Sequence, residues 1–181
     1  MSNIWLISDT HLNHDKEFVW KVRGFNSVWE MNNAIIERWN EVVKYDDIVY
    51  HLGDVIMGDL DTGIKLVKQL NGKIRLAIGN HDTSARLDAF RNLYNIDDIQ
   101  FGYRLKDGKK TLLLTHYPLL SGNFDNSKTY SIHGHTHSKS PFCDYDMMYN
   151  VNCDAHDCRP VAWEDMLADI AKNKNTKQGQ K

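Results

Sequence analysis

Asp9 and His11 stand two residues apart at the end of the apolar run Ile4-Trp5-Leu6-Ile7. On an extended backbone, positions i and i+2 point the same way, so a carboxylate and an imidazole there reach one ion together. One hard oxygen and one imidazole suit a borderline or hard divalent metal. The pattern recurs four times. Ile48-Val49-Tyr50-His51-Leu52 runs into Gly53-Asp54, and Ile74-Arg75-Leu76-Ala77-Ile78 runs into Gly79-Asn80-His81-Asp82. Leu112-Leu113-Leu114-Thr115 runs into His116, and Tyr130-Ser131-Ile132-His133 into Gly134-His135-Thr136-His137. Alone, Asp-x-His reads equally well as a turn acid beside a surface histidine. Five apolar runs ending in Asp, Asn or His select the metal reading, because the carboxyl edge of an open α/β sheet is where sites assemble.

Runs this short read as buried strands, and the segments between them must return the chain to the same edge. Ser27-Val28-Trp29-Glu30 has capping-box spacing. Val28, Met31, Ile35, Trp39 and Val42 follow at helical intervals, with Ile36 and Val43 widening the stripe. A second amphipathic helix is predicted over residues 60–70, stopped by Asn71-Gly72, and a third over 84–95. Strand–helix alternation of this kind makes a parallel sheet with crossover helices. Ile99, Phe101, Tyr103 and Leu105 then alternate with polar residues or glycine, which predicts one half-exposed strand. Asp107-Gly108 reads as its two-residue hairpin turn, with 109–115 as the return strand. Residues 117–130 are predicted to line the mouth of the site as a loop. A last strand is expected at 148–151, and a closing helix after Pro160 carries Trp163, Met166, Leu167 and Ile170.

Asp9-x-His11, Gly53-Asp54, Gly79-Asn80-His81-Asp82, His116 and Gly134-His135-x-His137 together resemble the motif set of the calcineurin-like metallophosphoesterase superfamily. The likeness is to its small single-domain bacterial and phage type, whose first motif often extends to a further histidine, here His14. The resemblance implies a four-layer α/β/β/α sandwich of two mixed sheets flanked by helices. It also implies two divalent ions, one held by Asp9, His11, Asp54 and His137, the other by Asp54, Asn80, His116 and His135, with Asp54 bridging. A hydroxide between the ions would attack phosphorus in line. Imidazole, carboxylate and one amide favour Mn²⁺, Fe or Zn²⁺ over Ca²⁺ or Mg²⁺; Mn²⁺ is the first expectation, with Fe, Zn²⁺ and Ni²⁺ as alternatives. His81, left without a metal, is the candidate general acid. Asp82 either orients His81 or caps the helix at Ser84. Asn80, Tyr117 and His14 are the candidate substrate contacts, and His14 reads equally as a polar residue near solvent. Phe18, Trp20, Lys16, Lys21 and Arg23 form a candidate substrate wall, or Phe18 and Trp20 cover the core edge. His51, His133 and His156 read as structural.

One departure narrows the expected substrate. Phosphoprotein phosphatases of the superfamily continue Gly-Asp into Asp-Arg-Gly, whereas Gly53-Asp54 continues as Val55-Ile56-Met57-Gly58-Asp59. A phosphodiester or small phosphomonoester is therefore expected, and a nucleotide or nucleic-acid end fits. A nuclease is the alternative. Such an enzyme needs a basic groove, but the four lysines of residues 171–181 leave the remainder of a chain of net charge −2 at −6. A non-catalytic protein-binding scaffold of this fold is a further alternative, disfavoured because every motif position is filled. The 181 residues suit one domain over 1–171, with a disordered Lys-rich tail at 172–181. No apolar run approaches the roughly 18 residues of a membrane span, and no signal peptide is evident. Cys143, Cys153 and Cys158 lack Cys-x-x-Cys spacing and read as free thiols. A cytoplasmic location, with no membrane contact and no obligate protein partner, is the expectation.

Overall fold

A computed structural model describes residues 2–120, 128–142 and 147–178. In chain order the elements are β1 (Ile4–Ile7), α1 (Glu17–Trp20), α2 (Val28–Val42), β2 (Ile48–His51), α3 (Leu60–Val67), β3 (Lys73–Ala77) and α4 (Ser84–Phe90). They continue as β4 (Ile96–Gln100), β5 (Gly102–Asp107), β6 (Lys110–Thr115), β7 (Thr129–His133), β8 (Met148–Asn150), β9 (Val161–Ala162) and α5 (Trp163–Gln178). One sheet has the order β4-β3-β2-β1-β9 and the other β5-β6-β7-β8. β1 to β4 run parallel and β9 antiparallel; β6, β7 and β8 run parallel and β5 antiparallel. Both sheets are therefore mixed, and helices flank them, as the sequence led us to expect.

Strand alternation assigns the two apolar layers. Ile7, Val49, Ile74 and Leu76 join Met31, Ile35, Trp39, Val67 and Phe90 in one core between the first sheet and its helices. Leu6, Tyr50 and Ala77, on the opposite face, pack with Leu112, Leu114, Ile132 and Tyr149 of the second sheet. Met166 and Ile170 bring α5 into that second core. Ser27 caps α2 by accepting from the Glu30 N–H at 3.1 Å. The Glu30 carboxylate answers on Asn26 N, one residue earlier than the usual capping box.

The structure corrects the sequence reading in four places. The alternating run 99–105 is not one strand: the chain leaves the first sheet after Gln100 and enters the second at Gly102, with Phe101 exposed at the crossing. The hairpin turn is Gly108-Lys109, one residue later than predicted, since Asp107 pairs with Lys110 and Gly108 takes the positive φ of 55°. α4 stops at Phe90 because Leu93 folds back into the core and Ile96 must pair with Ile74. α5 continues to Gln178, so the Lys-rich end to that residue is helix rather than a disordered tail. Cys153 and Cys158 are free and buried, whereas Cys143, loop residues 121–127 and residues 179–181 lie outside the described residues. Among the described residues, no helix is long and apolar enough to cross a membrane.

His51 supports the site from below. Its ring is fully buried and stacks on Trp39 at 6.2 Å between centroids. The Thr10 hydroxyl donates to Val55 O at 2.8 Å, so its oxygen accepts from His51 Nε2–H at 3.0 Å. This fixes the neutral tautomer, and burial pushes its pKa down to about 3. A folded pKa below the unfolded value of about 6.5 means the stabilisation is complete above pH 6.5 and is lost as pH falls toward 3. Metal-free wild type should therefore lose roughly 1.4 kcal/mol per pH unit below 6.5 relative to His51→Gln. Urea unfolding of both proteins from pH 7 to pH 5 measures this; parallel stability curves would contradict it.

Candidate metal centre

Residues 8–12 and 53–57 leave β1 and β2 side by side and stay paired. Asp9 N donates to Gly53 O, His11 N to Asp54 O, Leu12 N to Val55 O, and Met57 N to Leu12 O. Five side chains then reach the centre from left-handed backbone: Asp9 (φ 55°), His11 (47°), Asp54 (59°), His135 (67°) and His137 (49°). Such values are uncommon for any residue but glycine. Glycine is needed at two other points of this centre for lack of room: a Cβ at Gly79 would collide with the Asp54 carboxylate, and one at Gly134 with Asp9 and Ser8.

The side chains form two groups sharing one carboxylate. In the first, Asp9 Oδ1 lies 3.9 Å from His11 Nε2 and 3.7 Å from His137 Nε2. His11 Nε2 is 3.3 Å from His137 Nε2 and 3.7 Å from Asp54 Oδ2. In the second, His116 Nε2 lies 2.7 Å from Asn80 Oδ1, 3.1 Å from His135 Nδ1 and 3.6 Å from Asp54 Oδ2. His135 Nδ1 is 2.9 Å from Asn80 Oδ1. Asp54 Oδ2 is thus the atom that faces both groups, while its Oδ1 accepts from His81 N at 2.8 Å.

Proton accounting shows what these groups lack. His116 Nδ1 faces Leu52 O at 2.8 Å and must carry the proton there, which leaves a lone pair on Nε2. That lone pair points at the Asn80 carbonyl oxygen, itself an acceptor. His137 Nδ1 faces the Asp154 carboxylate at 2.7 Å, so in the neutral ring its Nε2 is also a bare lone pair. Asp9 Oδ2 accepts from Ser8 Oγ and His135 N, whereas its buried Oδ1 has no hydrogen-bond partner. Burial pushes the Asp9 carboxyl up and His11 down to about 2, with Arg23 adding to the latter. Converging acceptors, a buried carboxylate and neutral imidazoles are the donor set of a divalent cation. The seven residues expected as ligands all meet here, and two groups among them, Asp9 with His11 and His137 and Asp9 with Asp54 and His116, could each hold a metal ion.

Arg23 and Asp154 were not singled out as parts of the centre. Arg23 does line the cavity beside the centre, and its buried guanidinium donates to Asp9 O at 2.7 Å, Thr10 O at 2.9 Å and Asp154 Oδ1 at 3.0 Å. Burial alone would push the Asp154 carboxyl up, but His137 and Arg23 outweigh it and hold it at about 2. The Asp154 hydrogen bond in turn raises His137. The signal was present in the sequence, since Asn152-Cys153-Asp154 follows a last strand just as the other motifs follow theirs. Asp82 neither caps α4, whose N-cap is Thr83, nor turns to the His81 ring. Its carboxylate accepts from the backbone N–H of Asp54, Val55 and Gly79, tying two ligand-bearing turns together.

The remaining candidates lie around the rim. His81 has its N–H held by Asp54 and its carbonyl by Arg86, while its side chain is 46% exposed with Nε2 4.0 Å from Asp54 Oδ2. Tyr117 packs its ring against His116 and His135, at 5.0 and 4.7 Å between centroids. His14 stands 5.5 Å from the His11 ring and 5.9 Å from Phe18. His133 and His156 hydrogen-bond the carbonyls of Gly134 and Asn150.

Residues 2–152 match the calcineurin-like phosphoesterase superfamily domain, and the chain belongs to that superfamily of metal-dependent phosphoesterases. It is 35% identical to an uncharacterized protein, MJ1445, of Methanocaldococcus jannaschii, over 96% of this chain and 94% of the relative. It is 27% identical to the gene 66 protein of Mycobacterium phage L5, over 76% and 79% of the two chains. AQ665 of Aquifex aeolicus, a solved protein of unknown function, has the same fold, with a TM-score of 0.72 and 24% identity, over 92% of this chain and 98% of that one.

Asp154→Asn removes the charge that orients His137 and should weaken metal binding by about 10–100-fold. The loss should fall on one of two Mn²⁺ binding steps, read by calorimetry. Unchanged affinity at both steps would show that Asp154 serves only Arg23.

Proposed function

We propose that the protein hydrolyses a phosphodiester or phosphomonoester at this centre, with His81 as general acid and two divalent ions, Mn²⁺ first among them. The observation that carries the reading is the placement of His81. Its ring is half exposed, opens onto the cavity beside the centre and sits 4.0 Å from the carboxylate oxygen shared by both ligand groups. Ions bound there would supply Lewis acidity toward the phosphoryl oxygens and a water acidic enough to attack phosphorus. The chain's residues do the rest. Asp54 fixes the His81 backbone, so the imidazole is aimed before substrate arrives. Arg86 holds the same residue's carbonyl from the other side. Protonating the departing oxygen from His81 removes the cost of expelling an alkoxide. The Asn80 amide and the His14 ring border the place a phosphoryl group would occupy. Substrates with a nucleotide or nucleic-acid end fit this chemistry.

His81→Asn should keep the fold and both ions. Its kcat/KM for esters with alkoxide leaving groups should fall by roughly 10²–10⁴, the usual worth of a positioned acid. Esters of p-nitrophenol, which leave without a proton, should suffer much less. Equal losses on both substrates would assign His81 to charge stabilisation, and a loss of metal would make it a ligand.

A further inference from the structure

A cavity of about 500 Å³ opens beside the first ligand group, and His81, His14, Phe18, Val22 and Met57 contribute to its wall. A phosphoryl group fills a small part of that space, which falls within the range of small-molecule sites, about 300–1,000 Å³. On the α1 side the wall includes apolar side chains that have no packing reason. Trp20 packs against the core, yet Phe18 on the same short helix is 70% exposed and Val22 just beyond it is 57% exposed. Large apolar side chains left open around a concave site mark a ligand. His81 fixes which part of the ligand lies there. If it protonates the departing oxygen, the group attached to that oxygen extends from His81 into this cavity. The Phe18 ring meets the His14 ring in a T-shaped arrangement, at 81° and 5.9 Å between centroids, and remains largely exposed to the cavity.

We propose that this cavity is a leaving-group pocket for a flat aromatic ring, of nucleobase size, that stacks on Phe18. The assignment rests on the phosphoesterase reading above and narrows it to esters whose alcohol carries such a ring. Stacking is worth about tenfold per base–aromatic contact. The probes are the phosphates of methanol, cyclohexylmethanol and 2-naphthylmethanol, each as monoester and as methyl diester. All three leave as primary alkoxides, so the demand on His81 is alike. With Mn²⁺-loaded protein, kcat/KM for the naphthylmethyl ester should exceed that for the cyclohexylmethyl ester by about tenfold. Phe18→Ala should abolish that preference, and Phe18→Leu should leave the two esters equal. Binding of 2-naphthylmethylphosphonate, which cannot be hydrolysed, is followed by its own fluorescence and should weaken about tenfold in Phe18→Ala. Equal kcat/KM for naphthylmethyl and cyclohexylmethyl esters in wild type would overturn the proposal, as would phosphonate binding unaltered by Phe18→Ala. Phosphonate binding that depends on Phe18, with no ester hydrolysed, would remove the phosphoesterase reading and leave the pocket assignment standing.

Discussion

The centre depends on left-handed backbone at residues that are not glycine. Each such position costs on the order of 1–3 kcal/mol and persists only where the surroundings over-determine it. Here they do so through hydrogen bonds that bypass the regular strands. The two turns after β1 and β2 pair with each other, Ser8 N donates to Val151 O, and Gly134 N donates to His116 O. Arg23 fastens the carbonyls of Asp9 and Thr10, and Asp82 gathers the N–H groups of Asp54, Val55 and Gly79. The two sheets therefore serve mainly to fix the directions from which short strained turns present carboxylate, amide and imidazole.

Charge is the second constraint. Asp9, Asp54, Asp82 and Asp154 lie close together, mostly buried, and the buried cation set among them is Arg23. Arg23 is already engaged by Asp154 and two carbonyls, so Asp9 Oδ1 remains without a partner. Burying such a group is costly unless a counter-charge arrives. Metal binding and the stability of this edge of the fold are thus coupled: whatever neutralises Asp9 and Asp54 also holds the strained turns together.

The ligands were legible because a short apolar run followed by Asp, Asn or His is a local pattern, and parallel strands bring such ends together without further information. The helix at 28–42 was legible for the same reason, through its period and its cap. What escaped depended on distant partners. Arg23 read only as part of a substrate wall, because its partner Asp154 lies far along the chain. Asp82 looked like a cap because its true acceptor role involves N–H groups 27 and 28 residues earlier. The run 99–105 kept one alternation across two sheets, and period alone does not show that a strand changes sheet at Phe101. The lysine-rich end was read from composition, which says little about a helix already nucleated by Trp163, Met166 and Ile170 against the core.

The proposed hydrolysis requires that these turns assemble two cation sites around Asp54. This requirement is tested most directly by anomalous diffraction at the manganese edge from crystals grown with Mn²⁺. Two peaks are expected, one among Asp9, His11 and His137 and one among Asn80, His116 and His135, with Asp54 reaching both. A single peak at saturating Mn²⁺, or peaks away from these residues, would contradict it.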